Sequence, residues 1–203
     1  EFIVREGVLI PRPETEELVI WALERTEDIE NPKILDVCTG SGCIAIALKK
    51  RLHKAEVTAI DLSDEALKIA QENATQLNAD IEILKDDALQ GLQSVSKRTF
   101  DIIISNPPYI PQSEMAQMHS NVTHHEPHMA LFVDDCDPLI FYREIARVAK
   151  QILSKRGFLL FEIHETLAAE TAEMLSHEGF DNVEIRNDFR CKPRMICCQP
   201  NQK

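Results

Sequence analysis

The segment richest in chemistry is Ser105-Asn106-Pro107-Pro108-Tyr109, directly after the apolar run Phe100–Ile104. Two consecutive prolines stiffen the backbone and leave carbonyls without local N–H partners. The Asn106 side-chain oxygen and a proline carbonyl can together accept both hydrogens of a planar NH₂ group. That aims the nitrogen lone pair at an electrophile such as a methyl donor, and Tyr109 can pack on the flat group. Asn106, Pro107, Pro108 and Tyr109 are therefore the candidate catalytic residues. The alternative is a proline-terminated strand with a buried tyrosine.

A second segment, Ile34-Leu35-Asp36-Val37-Cys38-Thr39-Gly40-Ser41-Gly42-Cys43-Ile44-Ala45, is a Gly-rich turn between an apolar strand and a helix. Such a turn lets backbone N–H groups and a helix N-terminus approach a ligand closely. Asp61, at the end of the next strand, is placed to hold two ribose hydroxyls. Gly40-x-Gly42-x-x-Ala45 with an acid about twenty residues on also satisfies a dinucleotide-binding fingerprint. A turn with no ligand is the bland reading.

The elements that must carry these segments alternate regularly. Ile34–Val37, Glu56–Ile60, Ile81–Leu84, Phe100–Ile104, Phe158–Ile163, Val183–Arg186 and Arg194–Cys198 read as strands. Helices fall over Ile44–Leu52, behind Ser63 with a stripe of Leu67, Ala70, Ala74 and Leu77, and over Thr166–His177. Another helix follows Asp137-Pro138, read as an N-cap and first helical residue, with Phe141, Ile145, Val148 and Ile152 facing in. Short, fully apolar strands between helices mean a mostly parallel sheet covered on both faces, doubly wound by right-handed crossovers. The link Asn187–Pro193 is too short for a helical crossover, so the last two strands are an antiparallel pair. The stretch Pro107–Pro138 holds five prolines and no clear periodicity, which suggests a functional loop beside the site.

Composition narrows the function classes. Among 203 residues, 34 Asp and Glu against 22 Lys and Arg give a net charge of −12, which weighs against a dedicated nucleic-acid binder. No apolar run is long enough for a membrane span; Phe158-Leu159-Leu160-Phe161 is stopped by Glu162. The six cysteines include no Cys-x-x-Cys pair, and a reduced, cytoplasmic setting fits them best. No secretory leader is visible, so Asn73-Ala74-Thr75 and Asn121-Val122-Thr123 read as chance glycosylation matches. The first residue, Glu1, hints at an excised fragment.

The Asn-Pro-Pro-Tyr pattern resembles the S-adenosylmethionine-dependent amino-methyltransferases. Val8-Leu9-Ile10-Pro11-Arg12-Pro13-Glu14-Thr15-Glu16 sharpens this to the release-factor glutamine N5-methyltransferases, over about Gly7 to Met195. Those enzymes modify the glutamine of a Gly-Gly-Gln loop in peptide chain release factors. The resemblance implies a Rossmann-like class I methyltransferase fold of seven strands with an antiparallel last strand. It implies S-adenosylmethionine as cofactor and S-adenosylhomocysteine as product, held by Cys38, Thr39, Gly40, Ser41 and Gly42 around the methionine part. Asp61 would hold the ribose, and Asp87 with Ala88 would border the adenine. Asn106 to Tyr109 would receive the glutamine, while Arg12, Pro13 and Thr15 cover the site from above. Residues 1–13 would be a leading hairpin and linker from an absent N-terminal domain, and 14–203 the catalytic domain.

Two positions depart from the family pattern. Cys38 replaces the first turn glycine, so that turn is expected to be less strained than a glycine implies. Pro193 stands where the family has an Asp before Arg194. Rival readings are adenine N6 methylation of DNA or RNA, a non-catalytic cofactor-binding adapter, and a nicotinamide oxidoreductase that leaves Asn-Pro-Pro-Tyr unexplained. His119, His124, His125 and His128 with Glu126 match no zinc spacing, and amide methylation needs no metal. Asp86-Asp87 is read as the adenine edge, Cys197-Cys198 as buried small hydrophobes on opposite faces, and Trp21 as packing. No metal site is expected.

Overall fold

The computed structural model describes residues 2–5, 7–117 and 127–201. His119, His124, His125, Glu126 and the Asn121 sequon lie outside these. Strands β1 (Lys33–Val37), β2 (Glu56–Asp61), β3 (Glu82–Lys85), β4 (Phe100–Ser105), β7 (Leu153–Glu162), β8 (Phe180–Asn187) and β9 (Pro193–Pro200) form one sheet in the order β3-β2-β1-β4-β7-β9-β8. Only β9 runs antiparallel to its neighbours, inserted between β7 and β8. The chain leaves β1 toward β3 and returns at β4 toward β7, so the topological switch lies between β1 and β4. This is the expected doubly wound α/β sheet. The carboxyl ends of those two strands carry the two segments singled out by their chemistry.

Alternation along the strands builds a core on each face. Leu35 and Val37 join Ile103, Leu159 and Phe161 beneath α5 (Ile140–Ile152) and α6 (Ala168–His177). Ile34, Ile102, Ile104 and Leu160 pack on the other face beneath α1 (Pro13–Glu24) and α2 (Cys43–Arg51). Cys197 and Cys198 separate onto the two faces, and Trp21 is fully buried in the second core.

Several boundaries differ from those expected from the sequence. Helix α3 (Asp64–Gln76) keeps its Ser63 cap, but it buries Ala66, Ile69, Ala70, Asn73 and Ala74, leaving Leu67 and Leu77 half-buried. The helix is rotated because Asn73 is needed inside: its amide donates to the carbonyls of Ile3 and Ser41 and accepts from Ile3 N. Asp137 is not a helix cap. Its carboxylate is taken by the Arg143 guanidinium in a two-pronged pair at 2.6 and 2.7 Å, and α5 begins only at Ile140. Strand β7 starts five residues early, at Leu153, and α6 two residues late, at Ala168.

The proline-rich stretch is structured where described. Ile110–Pro111 (β5) pairs in parallel with Phe132–Val133 (β6), flanked by a 3₁₀ turn at Gln112–Gln117 and a single helical turn, α4 (His128–Leu131). His164, buried at the end of β7, meets Glu114 at 3.2 Å and pins that 3₁₀ turn.

Gly42 shows how tightly the turn is packed. It is left-handed, with φ 79°, and a methyl there would lie 3.1 Å from Ile46 Cδ1 and 3.2 Å from Ala70 Cβ. Gly42→Ala should lower stability by about 1–2 kcal/mol in denaturant unfolding. An unchanged midpoint would mean that α2 and α3 separate at little cost.

Candidate active site

Parallel pairing puts Val37 level with Ser105, and the buried Ser105 hydroxyl donates to the Val37 carbonyl at 2.6 Å. The Gly-rich turn and Asn-Pro-Pro-Tyr therefore start side by side. Between them opens a cavity of about 390 Å³, in the size range of small-molecule sites.

Of the residues expected here, Cys38, Thr39, Gly40, Ser41, Asp61, Asp87, Ala88, Asn106, Pro108 and Thr15 line this cavity. Five others do not. Gly42 spends its N–H on the Thr39 carbonyl at 2.9 Å and turns into α3. Arg12 is the N-cap and Pro13 the first residue of α1, so the helix aims Thr15 inward instead. Pro107 is buried, and Tyr109 points its hydroxyl at Glu162. The cavity also takes Val8, Leu9 and Pro11 from the leading segment, and Met129, Ala130 and Phe141 from beyond the proline-rich stretch.

Asp61 is set by backbone donors. Gly40 N reaches one oxygen and Ser63 N the other, each at 2.9 Å. Burial raises its pKa, and those N–H groups work against the rise. Each oxygen retains a lone pair, so a diol could donate to both. At Gly40, with φ 55°, an added Cβ would meet nothing within 4 Å, so the turn leaves room beside Asp61. Asp87 caps the 3₁₀ turn Ala88–Gln90 by accepting from Leu89 N at 2.9 Å. Burial pushes the Cys38 thiol well up and that of Cys43 to about 12, so neither is a ready nucleophile.

A second group of side chains closes the Asn106 end. Asn106 Nδ2 donates to Thr15 Oγ1 at 3.4 Å, Thr15 Oγ1 donates to Glu162 Oε2 at 2.7 Å, and Tyr109 OH donates to Glu162 Oε1 at 3.0 Å. Glu162 is 1% exposed, and burial raises its pKa against these donors and the charge of Arg194. Sequence reading treated Glu162 only as the stop of an apolar run. The signal that could have found it is a lone carboxylate closing an otherwise apolar strand beside the one that ends in Asn106. Among the described residues no three His, Cys, Asp or Glu side chains converge on a metal position.

Comparison with known proteins supplies the family. Residues 15–127 match the methyltransferase small domain family. The release factor glutamine methyltransferase of Flavobacterium psychrophilum is 48% identical over 198 residues, covering 96% of this chain and 69% of that protein. The chain belongs to this family. The same-named protein of Bacteroides thetaiotaomicron is 42% identical over 197 residues, with 96% and 69% covered. The fold resembles the solved ribosomal protein L11 methylase of Lactobacillus delbrueckii subsp. bulgaricus, with TM-score 0.65 and 22% identity. That likeness covers 94% of this chain and 81% of the other.

Both departures from the family pattern have structural accounts. Cys38 has φ 61°, a left-handed backbone, so the expectation of a relaxed turn is wrong. A Cβ there costs roughly 1–2 kcal/mol, offset by packing of the sulfur against the α5-side core. Pro193 opens β9, where a missing N–H is tolerated, and Arg194 is held by the buried Asp188 at 3.2 Å. Asp188 also accepts from the backbone of Arg190 and Lys192.

In this family member Cys38→Gly should be more stable than Cys38→Ala by about 1 kcal/mol, because alanine keeps the strain and loses the sulfur. Equal melting of the two would show that the turn relaxes around a Cβ.

Asp36 gives a pH test. It is fully buried, and burial raises its pKa from the ordinary 3.8 to about 7 despite hydrogen bonds from Thr39 and Ala45. The folded state then keeps a proton that the unfolded chain has lost. This group's contribution is full below about pH 4 and falls as pH rises toward 7. Asp36→Asn should remove that fall, so its stability relative to the parent should rise between pH 5 and pH 8. A constant difference would mean that Asp36 stays ionised in the fold.

Proposed function

We infer that this chain transfers a methyl group from S-adenosylmethionine to the side-chain amide nitrogen of the glutamine in the Gly-Gly-Gln loop of peptide chain release factors. The carrying observation is that Asn106 and Pro108 open into the same cavity as Asp61 and the Gly-rich turn. Family membership and the name of the relatives support the substrate. Residues 14–203 form the catalytic unit, residues 1–13 lead into it, and its setting is cytoplasmic.

The residues present fit the cofactor. Asp61 offers two acceptors for ribose hydroxyls, and the room at Gly40 admits the methionine part beside the turn. Asp87 and Ala88, next to apolar Leu62 and Leu89, would border the adenine. Carboxylates of Asp61, Asp86 and Asp87 surround the cavity, and no Lys or Arg lines it among the described residues. That favours a positively charged donor over a dinucleotide with two phosphates. When bound, the cofactor supplies an electrophilic sulfonium methyl, whose carbon–sulfur electron pair returns to sulfur.

The chain's own task is orientation. An amide nitrogen is a poor nucleophile because its lone pair is delocalised into the carbonyl. Asn106 Oδ1 and a carbonyl of the Pro107-Pro108 pair accept its two hydrogens and hold the lone pair in line. Those bonds strengthen as the nitrogen gains positive character, until it releases one proton to solvent water. Adenine N6 methylation needs the same acceptors, but the −12 charge and the basic-free cavity oppose a polyphosphate substrate.

The test is incubation with labelled methyl donor and release factor, nucleic acid or no acceptor. Label should enter the release-factor glutamine; label in nucleic acid alone would overturn the reading. Asn106→Ala should slow transfer about 10²–10³-fold with cofactor affinity within a few-fold. Asp61→Ala should weaken cofactor binding at least about tenfold by calorimetry, since each bond to a charged acceptor contributes about 1.5–3 kcal/mol. An unchanged dissociation constant would remove Asp61 from the site.

A further inference from the structure

Glu162 stands at the centre of the hydrogen-bonded chain that ends on Asn106, yet it does not line the cavity. Its chemistry fixes the direction of every bond in that chain. An ionised carboxylate only accepts, so the hydroxyls of both Thr15 and Tyr109 must donate to it. Thr15 has one hydroxyl proton, already given to Glu162 at 2.7 Å, so toward Asn106 it can only accept. Asn106 must then turn its NH₂ to Thr15, at 3.4 Å, and its oxygen to the cavity.

Reversed, Asn106 would offer NH₂ to an acceptor amide that also offers NH₂, and the two could not bond. Strand pairing holds the arrangement in place. Ser105 pairs with Phe161, so the residues that follow, Asn106 and Glu162, leave adjacent strands together, and α1 brings Thr15 over them. Burial raises the Glu162 pKa, and the Thr15 and Tyr109 hydroxyls together with the charge of Arg194, itself anchored by Asp188 and Glu165, act against that rise.

We infer that Glu162 is a positioning residue, whose carboxylate sets the polarity of the Tyr109–Glu162–Thr15–Asn106 chain and so presents Asn106 Oδ1 to the acceptor amide. This rests on the amide-methylation reading above and adds the element that makes Asn106 an acceptor. Glu162→Gln keeps the shape but puts a donor where one of the two acceptors was, so Thr15 or Tyr109 must reverse.

The experiment measures kcat and KM for release factor, cofactor affinity by calorimetry, and the Asn106 side-chain NH₂ signals in ¹⁵N-labelled protein. Glu162→Gln should lower kcat at least about tenfold, with cofactor affinity within about threefold. The Asn106 NH₂ signals should shift and lose exchange protection. Thr15→Val should do the same, and Thr15→Ser should recover most of the rate because it restores the hydroxyl. If Glu162→Gln fails to fold, the Val and Ser pair decides. Parental kcat with unmoved Asn106 signals in Glu162→Gln, or equal rates for Thr15→Val and Thr15→Ser, would overturn the role. A parent that methylates no release factor would instead overturn the reaction, while the NH₂ signals still report on Glu162.

Discussion

The hydrogen bond from Ser105 to the Val37 carbonyl is the joint on which the site depends. It ties the ends of the two strands that flank the topological switch, both buried on both faces. Past that joint the strands diverge into the Gly-rich turn on one side and Asn-Pro-Pro-Tyr on the other. A crevice between strand ends is where an open α/β sheet admits a ligand, because the helices that cover the faces begin beyond it. Here the crevice is divided by chemistry. The β1–β2 side presents Asp61, and the β4–β7 side presents Asn106 with Glu162 behind it.

The two sides are braced from different directions. On the Asp61 side the bracing is backbone: N–H groups of Gly40 and Ser63 set Asp61, and Asn73 of α3 reaches the Ser41 carbonyl. On the Asn106 side it is side chain to side chain, through Thr15 of α1 and Glu162 of β7. Helix α1 therefore does two jobs. It buries Leu18, Trp21 and Ala22 against the sheet, and that packing fixes where Thr15 hangs over Asn106. Buried polar chains of this kind are costly if broken, since each member left unpaired keeps its desolvation penalty.

Much of the fold was readable because its central strands, β1, β2 and β4, are buried on both faces and so show as plain apolar runs. The glycine turn, Asp61 and Asn106 stand out in the sequence by residue type and by their place at strand ends, and all three line the cavity. What escaped was set by distant partners. Glu162 looked like the polar end of a strand, because its meaning lies in Thr15, 147 positions away in the chain. The phase of α3 was misjudged because Asn73, a polar residue, is drawn inside to serve the backbone of Ile3 and Ser41. Asp137 has the right type for a helix cap, but Arg143 competes for its carboxylate and wins. The strain at Cys38 was missed because residue type alone does not report φ.

In the proposed reaction, strand-end pairing holds the Asn106 half of the site in register with the Asp61 half and is not needed to bind cofactor. Ser105→Ala tests it most directly, in single-turnover methylation of release factor with cofactor already bound. Loss of the bond removes the side-chain tie between the two strand ends, about 0.5–1.5 kcal/mol, enough to loosen the register. The single-turnover rate should fall about tenfold or more, with cofactor affinity within a few-fold. A rate equal to the parent's, or a loss wholly accounted for by weaker cofactor binding, would contradict it.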